Sequence, residues 1–180
     1  MGNRVYRRRS VALLRALAAT TFGLAAWPGA ALAALPSAGS FTWTGNGANN
    51  HWTTDFNWNN GTFYPQGVGA DATINSASVN VDLAISVDDL ILNGVTLNGA
   101  VINSLTAQDT LSIDGGLTLS LHLINNGNAI WGSGSIATVF SPEIDNAGTF
   151  DIQGDNQMFV NAGIAALINN SGTLKKTAGK

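Results

Sequence analysis

Three related segments near the C-terminus constrain the fold more than any other feature: Ile124-Asn125-Asn126-Gly127, Ile144-Asp145-Asn146-Ala147-Gly148-Thr149-Phe150 and Ile168-Asn169-Asn170-Ser171-Gly172-Thr173-Leu174. Each couples a β-branched residue to an Asn/Gly turn and then to a fresh apolar-alternating stretch. The isoleucines stand 20 and 24 residues apart, the length of one supersecondary unit in a stacked array. A unit of this size cannot bury its apolar face alone, so it stacks on its neighbours.

The rest of the chain agrees with that reading. From Ala72 onward short β-type runs follow one another: Ala72-Thr73-Ile74, Val79-Asn80-Val81-Asp82, Ile85-Ser86-Val87, Leu90-Ile91-Leu92, Leu111-Ser112-Ile113 and Leu117-Thr118-Leu119-Ser120-Leu121. Asn93-Gly94 and Asn98-Gly99 are turn signals around Val95-Thr96-Leu97, and Asp114-Gly115-Gly116 is another. Ile164 to Ile168 is the one candidate turn of helix. Strands of three to five residues, frequent Asn/Gly corners and a repeat just over 20 residues favour a right-handed parallel β-helix, a β-solenoid. Six or seven coils about 4.8 Å apart are expected. The 19 asparagines after Ala33 mostly adjoin Gly or another Asn, which suits side-chain ladders at the corners. The alternative is a β-sandwich, in which the Asn-Gly pairs would be hairpin turns.

The ends set the compartment. Arg4, Arg7, Arg8, Arg9 and Arg15 precede an apolar stretch from Ala16 to Ala26, then Pro28-Gly29 and the small-x-small site Ala31-Leu32-Ala33. This is the layout of a signal peptide over residues 1–33. Eleven apolar residues fall short of the roughly 20 that span a bilayer. Arg7-Arg8-Arg9-Ser10 is similar to a twin-arginine export signal, but the weak hydrophobic residues after it favour ordinary secretion. Residues 34–40 read as a linker, 41–71 as an aromatic Asn/Gly-rich cap and 72–180 as solenoid coils. Lys175-Lys176 and Gly179-Lys180 close the chain without an aromatic cap. The coils are therefore expected to continue beyond 180 in a longer protein; alternatively, the paired lysines guard an exposed edge.

All five arginines lie before Ala34, leaving Lys175, Lys176 and Lys180 against ten aspartates and Glu143, a formal charge of −8. Such a surface repels phosphate backbones and anionic membranes, so no nucleic-acid partner and no membrane span are expected. There is no cysteine, which excludes disulfides and thiolate chemistry. No catalytic, cofactor or metal site is expected either. Asp88-Asp89, with Asp82 nearby, are neighbours whose side chains would point to opposite faces, a poor arrangement for glycoside hydrolysis. An enzyme acting on acidic polysaccharide would need cations that this chain lacks. Gly154-Asp155-Asn156 and Asp114-Gly115-Gly116 do not extend into a calcium-binding nonapeptide series. His51 and His122 have no histidine or carboxylate at ligand spacing. The sequons at Asn60 and Asn169 read as incidental.

Between residues 41 and 71 the texture is different. Trp43, Gly45, Trp52, Asn57, Trp58, Gly61, Pro65, Asp71 and Ile74 form a W-x-G, W, N-W, Gly, Pro, Asp, strand pattern. It resembles the start of bacterial autotransporter-type and other secreted β-solenoid passengers. Asn170 to Lys175 is similar to the repeats of those surface proteins. The resemblance implies a secreted or surface-displayed protein with a structural or adhesin-like, non-catalytic role. It would be outer-membrane-associated if a C-terminal translocator exists, and would act as a monomer or as part of a longer chain. Its partner would be an extracellular ligand or glycan. The aromatic side chains Trp43, Trp52, Trp58 and Tyr64 have two readings. They either cap the open end of the solenoid core or form a sugar-stacking platform, and ring exposure separates the two.

Overall fold

A computed structural model describes residues 37–180. The signal-peptide reading, and the first part of the expected linker, lie outside the described residues. The strands are β1 (Ser37–Thr42), β2 (Pro65–Asn75), β3 (Ser78–Asn80), β4 (Ile85–Asn98), β5 (Ser104–Leu119), β6 (His122–Asn125), β7 (Asn128–Trp131), β8 (Ile136–Val139), β9 (Glu143–Asn146), β10 (Thr149–Gln153), β11 (Met158–Ala162), β12 (Leu167–Asn170) and β13 (Thr173–Ala178). Every pairing between them is parallel. Partners come from successive passes of the chain, which makes the fold a parallel β-solenoid of about 5 turns. A sandwich of antiparallel hairpins would require the opposite pairing.

Three columns of inward side chains build the core. Phe41, Ala72, Leu90, Leu111, Ala129, Phe150 and Leu174 align on one face. Val79, Leu97, Leu119, Thr138 and Val160 align on the second. Ile85, Leu105, Leu123, Ile144 and Ile168 align on the third. Because side chains alternate along each strand, every second residue enters the core and its neighbour faces out. The columns are buried down to Phe150, while Val160, Ile168 and Leu174 in the last coil are about half exposed. No coil follows to cover them.

Several expectations need correction. There are about five turns, not six or seven, because residues 43–64 form loops and a short 3-10 turn at Asp55–Asn57 instead of a coil. Ile164 to Ile168 is not helical; β12 begins there at Leu167. Residues 37–40, expected to be linker, belong to β1 and pair with β2. The expected cap boundary at 71/72 falls inside β2. Strands also exceed three to five residues: β4 and β5 run for 14 and 16. Their Asn-Gly and Asp-Gly-Gly segments are bends, not hairpin turns. Gly94 (φ 64) and Gly115 and Gly116 (φ 66 and 95) take left-handed backbone conformations that turn the strand round a corner without breaking it.

The three echoed segments align by their asparagine and glycine, not by their isoleucine. Leu123, Ile144 and Ile168 share the inward column, whereas Ile124 faces out opposite Asp145. Asn125, Asn146 and Asn170 stand in register, 21 and 24 residues apart. Asn125 Nδ2 donates to Asn146 Oδ1 (2.7 Å), and Asn146 Nδ2 donates to Asn170 Oδ1 (2.6 Å). Each amide also donates to carbonyls at its own corner and in the next coil: Gly127 and Thr149 for Asn125, Gly148 and Thr173 for Asn146. The column begins beneath Ala107, which has no donor to offer, so Asn125 Oδ1 is buried without a partner. The glycine column is set by close approach. A Cβ on Gly127, Gly148 or Gly172 would lie 2.0, 1.9 or 2.0 Å from a carbonyl oxygen of the preceding coil. The motif is therefore an inward aliphatic residue, an outward residue, an amide-ladder asparagine, one variable residue and a contact glycine.

Candidate functional site

The aromatic block closes the N-terminal end of the core. Trp52 and Trp58 are 0 % and 1 % exposed, whereas Trp43 and Tyr64 are half-buried against the same cluster. Trp58 lies at the centre, edge-on to Trp52 (4.8 Å between centroids), Trp43 (5.2 Å) and Phe41 (6.4 Å), the arrangement favoured by ring quadrupoles. Buried indoles need acceptors: Trp58 Nε1 donates to the Trp52 carbonyl (2.8 Å) and Trp52 Nε1 to the Pro65 carbonyl (3.0 Å). Asn57, fully buried, ties the loop together. Its amide donates to the carbonyls of Asn49 and His51, and its oxygen accepts the Gly47 N–H. Neither Trp52 nor Trp58 presents a ring face to solvent, so of the four expected aromatics only Trp43 and Tyr64 could meet a ligand.

The other singled-out residues are tied into corners. Asp88 Oδ2 accepts the Gly69 N–H at 2.7 Å. A register shift between Val87 and Asp89 interrupts the strand alternation, leaving both aspartates half-buried. Asp82 accepts the Thr53 hydroxyl and backbone N–H and lies 3.4 Å from His51 Nδ1. Asp114 accepts hydroxyls from Ser112 and Ser133.

Sequence reasoning missed a cluster on the outer side of the third face. Register between β6 and β9 places His122 beside Glu143, with Asp145 one outward position further along. His122 Nε2 lies 2.9 Å from Asp145 Oδ2. Asn169, from the following coil, donates through Nδ2 to Asp145 Oδ1 (2.8 Å) and to Glu143 Oε1. His122 therefore has carboxylates at hand after all. They come from the next coil, more than 20 residues away in sequence, where spacing rules for helices or hairpins do not look. The usable signal was the in-register asparagine, which fixes what stacks beside His122.

The lysines of the last coil also have partners. Lys175 Nζ lies 3.5 Å from Asp151 Oδ2 and Lys176 Nζ lies 3.4 Å from Asp155 Oδ1. Asp151 is held below the usual carboxyl range chiefly by the Gln153 amide, with help from Thr177 and Lys175; Asp155 is held low chiefly by the Lys180 backbone N–H, with help from Lys176. Burial shifts Asp55, in the cap, the other way. A depressed folded-state pKa contributes stability at pH above the unfolded value and loses it as pH falls through the folded value. A raised one contributes below the unfolded value and is lost as pH rises. Acidification below about 3.8 is thus expected to loosen residues 173–178 before the cap. Hydrogen exchange, corrected for its intrinsic pH dependence, checks this: protection of β13 should fall first, and Asp151→Asn should abolish much of that pH dependence.

The geometry defines a capped parallel β-solenoid with an aromatic N-terminal plug and outward-facing polar columns. No family model, no curated protein and no solved structure matches the chain. No helix among the described residues is long and apolar enough to cross a membrane.

Proposed function

We propose that the chain is a secreted or cell-surface β-solenoid with a structural, adhesin-like and non-catalytic role, comparable to an autotransporter-type passenger segment. The observation that carries this reading is the continuous ladder. A buried core and in-register corner hydrogen bonds turn a short chain into a stiff rod whose outward columns offer a fixed array of polar side chains. Rigid arrays of this kind suit multipoint attachment, because little side-chain and backbone freedom is lost on binding. The basic, apolar N-terminal segment supports export, and the acidic surface supports solubility outside the cell. Glycan binding is the second reading. It rests on Trp43 and Tyr64, the two cap aromatics that keep partial exposure.

The test is retention without turnover. Beads carrying the purified chain are expected to adhere to host-cell or matrix preparations while releasing no product from a panel of acidic and neutral polysaccharides. Release of oligosaccharides would overturn the non-catalytic reading. A glycan-array signal lost in Trp43→Ala would replace adhesion through the outer columns with sugar binding at the cap.

A further inference from the structure

We propose that His122, Glu143 and Asp145 form a binding site for one first-row divalent cation, Zn2+ in preference to Ca2+, on the outer side of the solenoid. One imidazole nitrogen and two carboxylate oxygens, one from each side chain, lie within 4.8 Å of one another. Ligand atoms about 2.1 Å from a shared zinc ion are separated by roughly 3.4 Å in tetrahedral geometry. Small rotations of the three side chains close that difference. All three are half-buried and face outward, so they can rotate without disturbing the core. Their backbones are meanwhile fixed by the β6–β9 ladder.

Charge points the same way. Glu143 and Asp145 place two carboxylates side by side, and no lysine is paired with either. Among the described residues the lysine ion pairs are with Asp151 and Asp155, in another part of the last coils. What holds the two carboxylates together is the Asn169 amide, donating to both. A bound dication would neutralise the pair, and turning the Asn169 amide over would replace its NH2 with a carbonyl oxygen as a fourth ligand. Open access on the solvent side leaves room for water in any remaining position.

The donor set selects the metal. Imidazole nitrogen suits zinc and its neighbours, whereas calcium takes six to eight oxygens, more than these residues supply. His51 provides the internal contrast. It meets one carboxylate, Asp82, which is already occupied by Thr53.

Isothermal titration of the untagged full chain with zinc chloride, and separately with calcium chloride, tests the proposal. One equivalent of Zn2+ is expected to bind, with His51→Gln unchanged and His122→Gln and Asp145→Asn each weakened at least tenfold; Ca2+ should bind more weakly than Zn2+. Both weakened variants alter outward side chains, and far-UV circular dichroism checks that each is folded; if one is not, the other decides. Absence of zinc binding, equal binding by wild type and both variants, loss confined to His51→Gln, or Ca2+ binding as tight as Zn2+ would each overturn it. The adhesion reading does not depend on this site, so the two stand or fall separately.

Discussion

Trp58→Ala is expected to destabilise the chain by about 3–5 kcal/mol, the range for deleting a large aromatic from a packed core. Three effects act together. The ring is 1 % exposed, so its removal leaves a cavity. It is the ring shared by the contacts to Phe41, Trp43 and Trp52, so three edge-on pairs are lost at once. The Trp52 carbonyl also loses the indole N–H that satisfies it. The damage should concentrate at the N-terminal end, because each coil touches only its neighbours. Urea unfolding with hydrogen exchange provides the check: loss of protection is expected first in β1 and β2. A change below about 1 kcal/mol would mean that the aromatic block does not cap the core. Phe56, on the same loop but 68 % exposed, is the matched control and should tolerate alanine.

Asn146→Ala is expected to cost about 2–4 kcal/mol, since a buried donor or acceptor left unpaired costs about 1–3 kcal/mol. Asn146 is the middle rung of the amide column. It accepts from Asn125 and donates to Asn170, to Gly148 at its own corner and to Thr173 in the next coil. Truncation removes these interactions and leaves the Gly148 carbonyl in a corner too tight for easy hydration. Coils on the C-terminal side should loosen most, since β12 and β13 are already the most exposed strands. Asn126→Ala, one residue from the column and outward-facing, loses only an exposed bond to Gln108 and should change stability little. Equal effects of the two substitutions would show that the column contributes nothing specific. Thermal unfolding of both variants, compared at matched concentration, makes the measurement.

Much of the fold was readable from local chemistry. Alternation in Leu117 to Leu121, the asparagine-glycine corners and the absence of any helical period are short-range signals, and each survives in the ladders. What misled was also local. Asn93-Gly94 carries the same dihedral preference whether it reverses a chain or bends a strand, and only the parallel partner in β5 decides between them. Aligning the repeats on Ile124 was one residue out, because β-branched residues occur on both faces of a strand. The contact glycines fix the register, since a misplaced Cβ there meets a carbonyl of the coil before.

The candidate site was less legible than the fold. Clustered tryptophans signal an aromatic plug in sequence, yet which rings are sealed depends on the loop that Asn57 organises. His122 looked solitary because its carboxylates arrive from the next coil. Coil length varies between neighbouring turns, as the 21- and 24-residue steps of the asparagine column show. No fixed sequence offset therefore points from His122 to Asp145.

By itself, the sequence determined that this chain builds stacked β units with amide-lined corners, an aromatic plug and an acidic, arginine-free body, because those properties depend on residue type and near neighbours. Only the tertiary structure decided which outward side chains meet. That depends on how far each coil travels before it returns, and the distance is set by how the corners pack against the turn below.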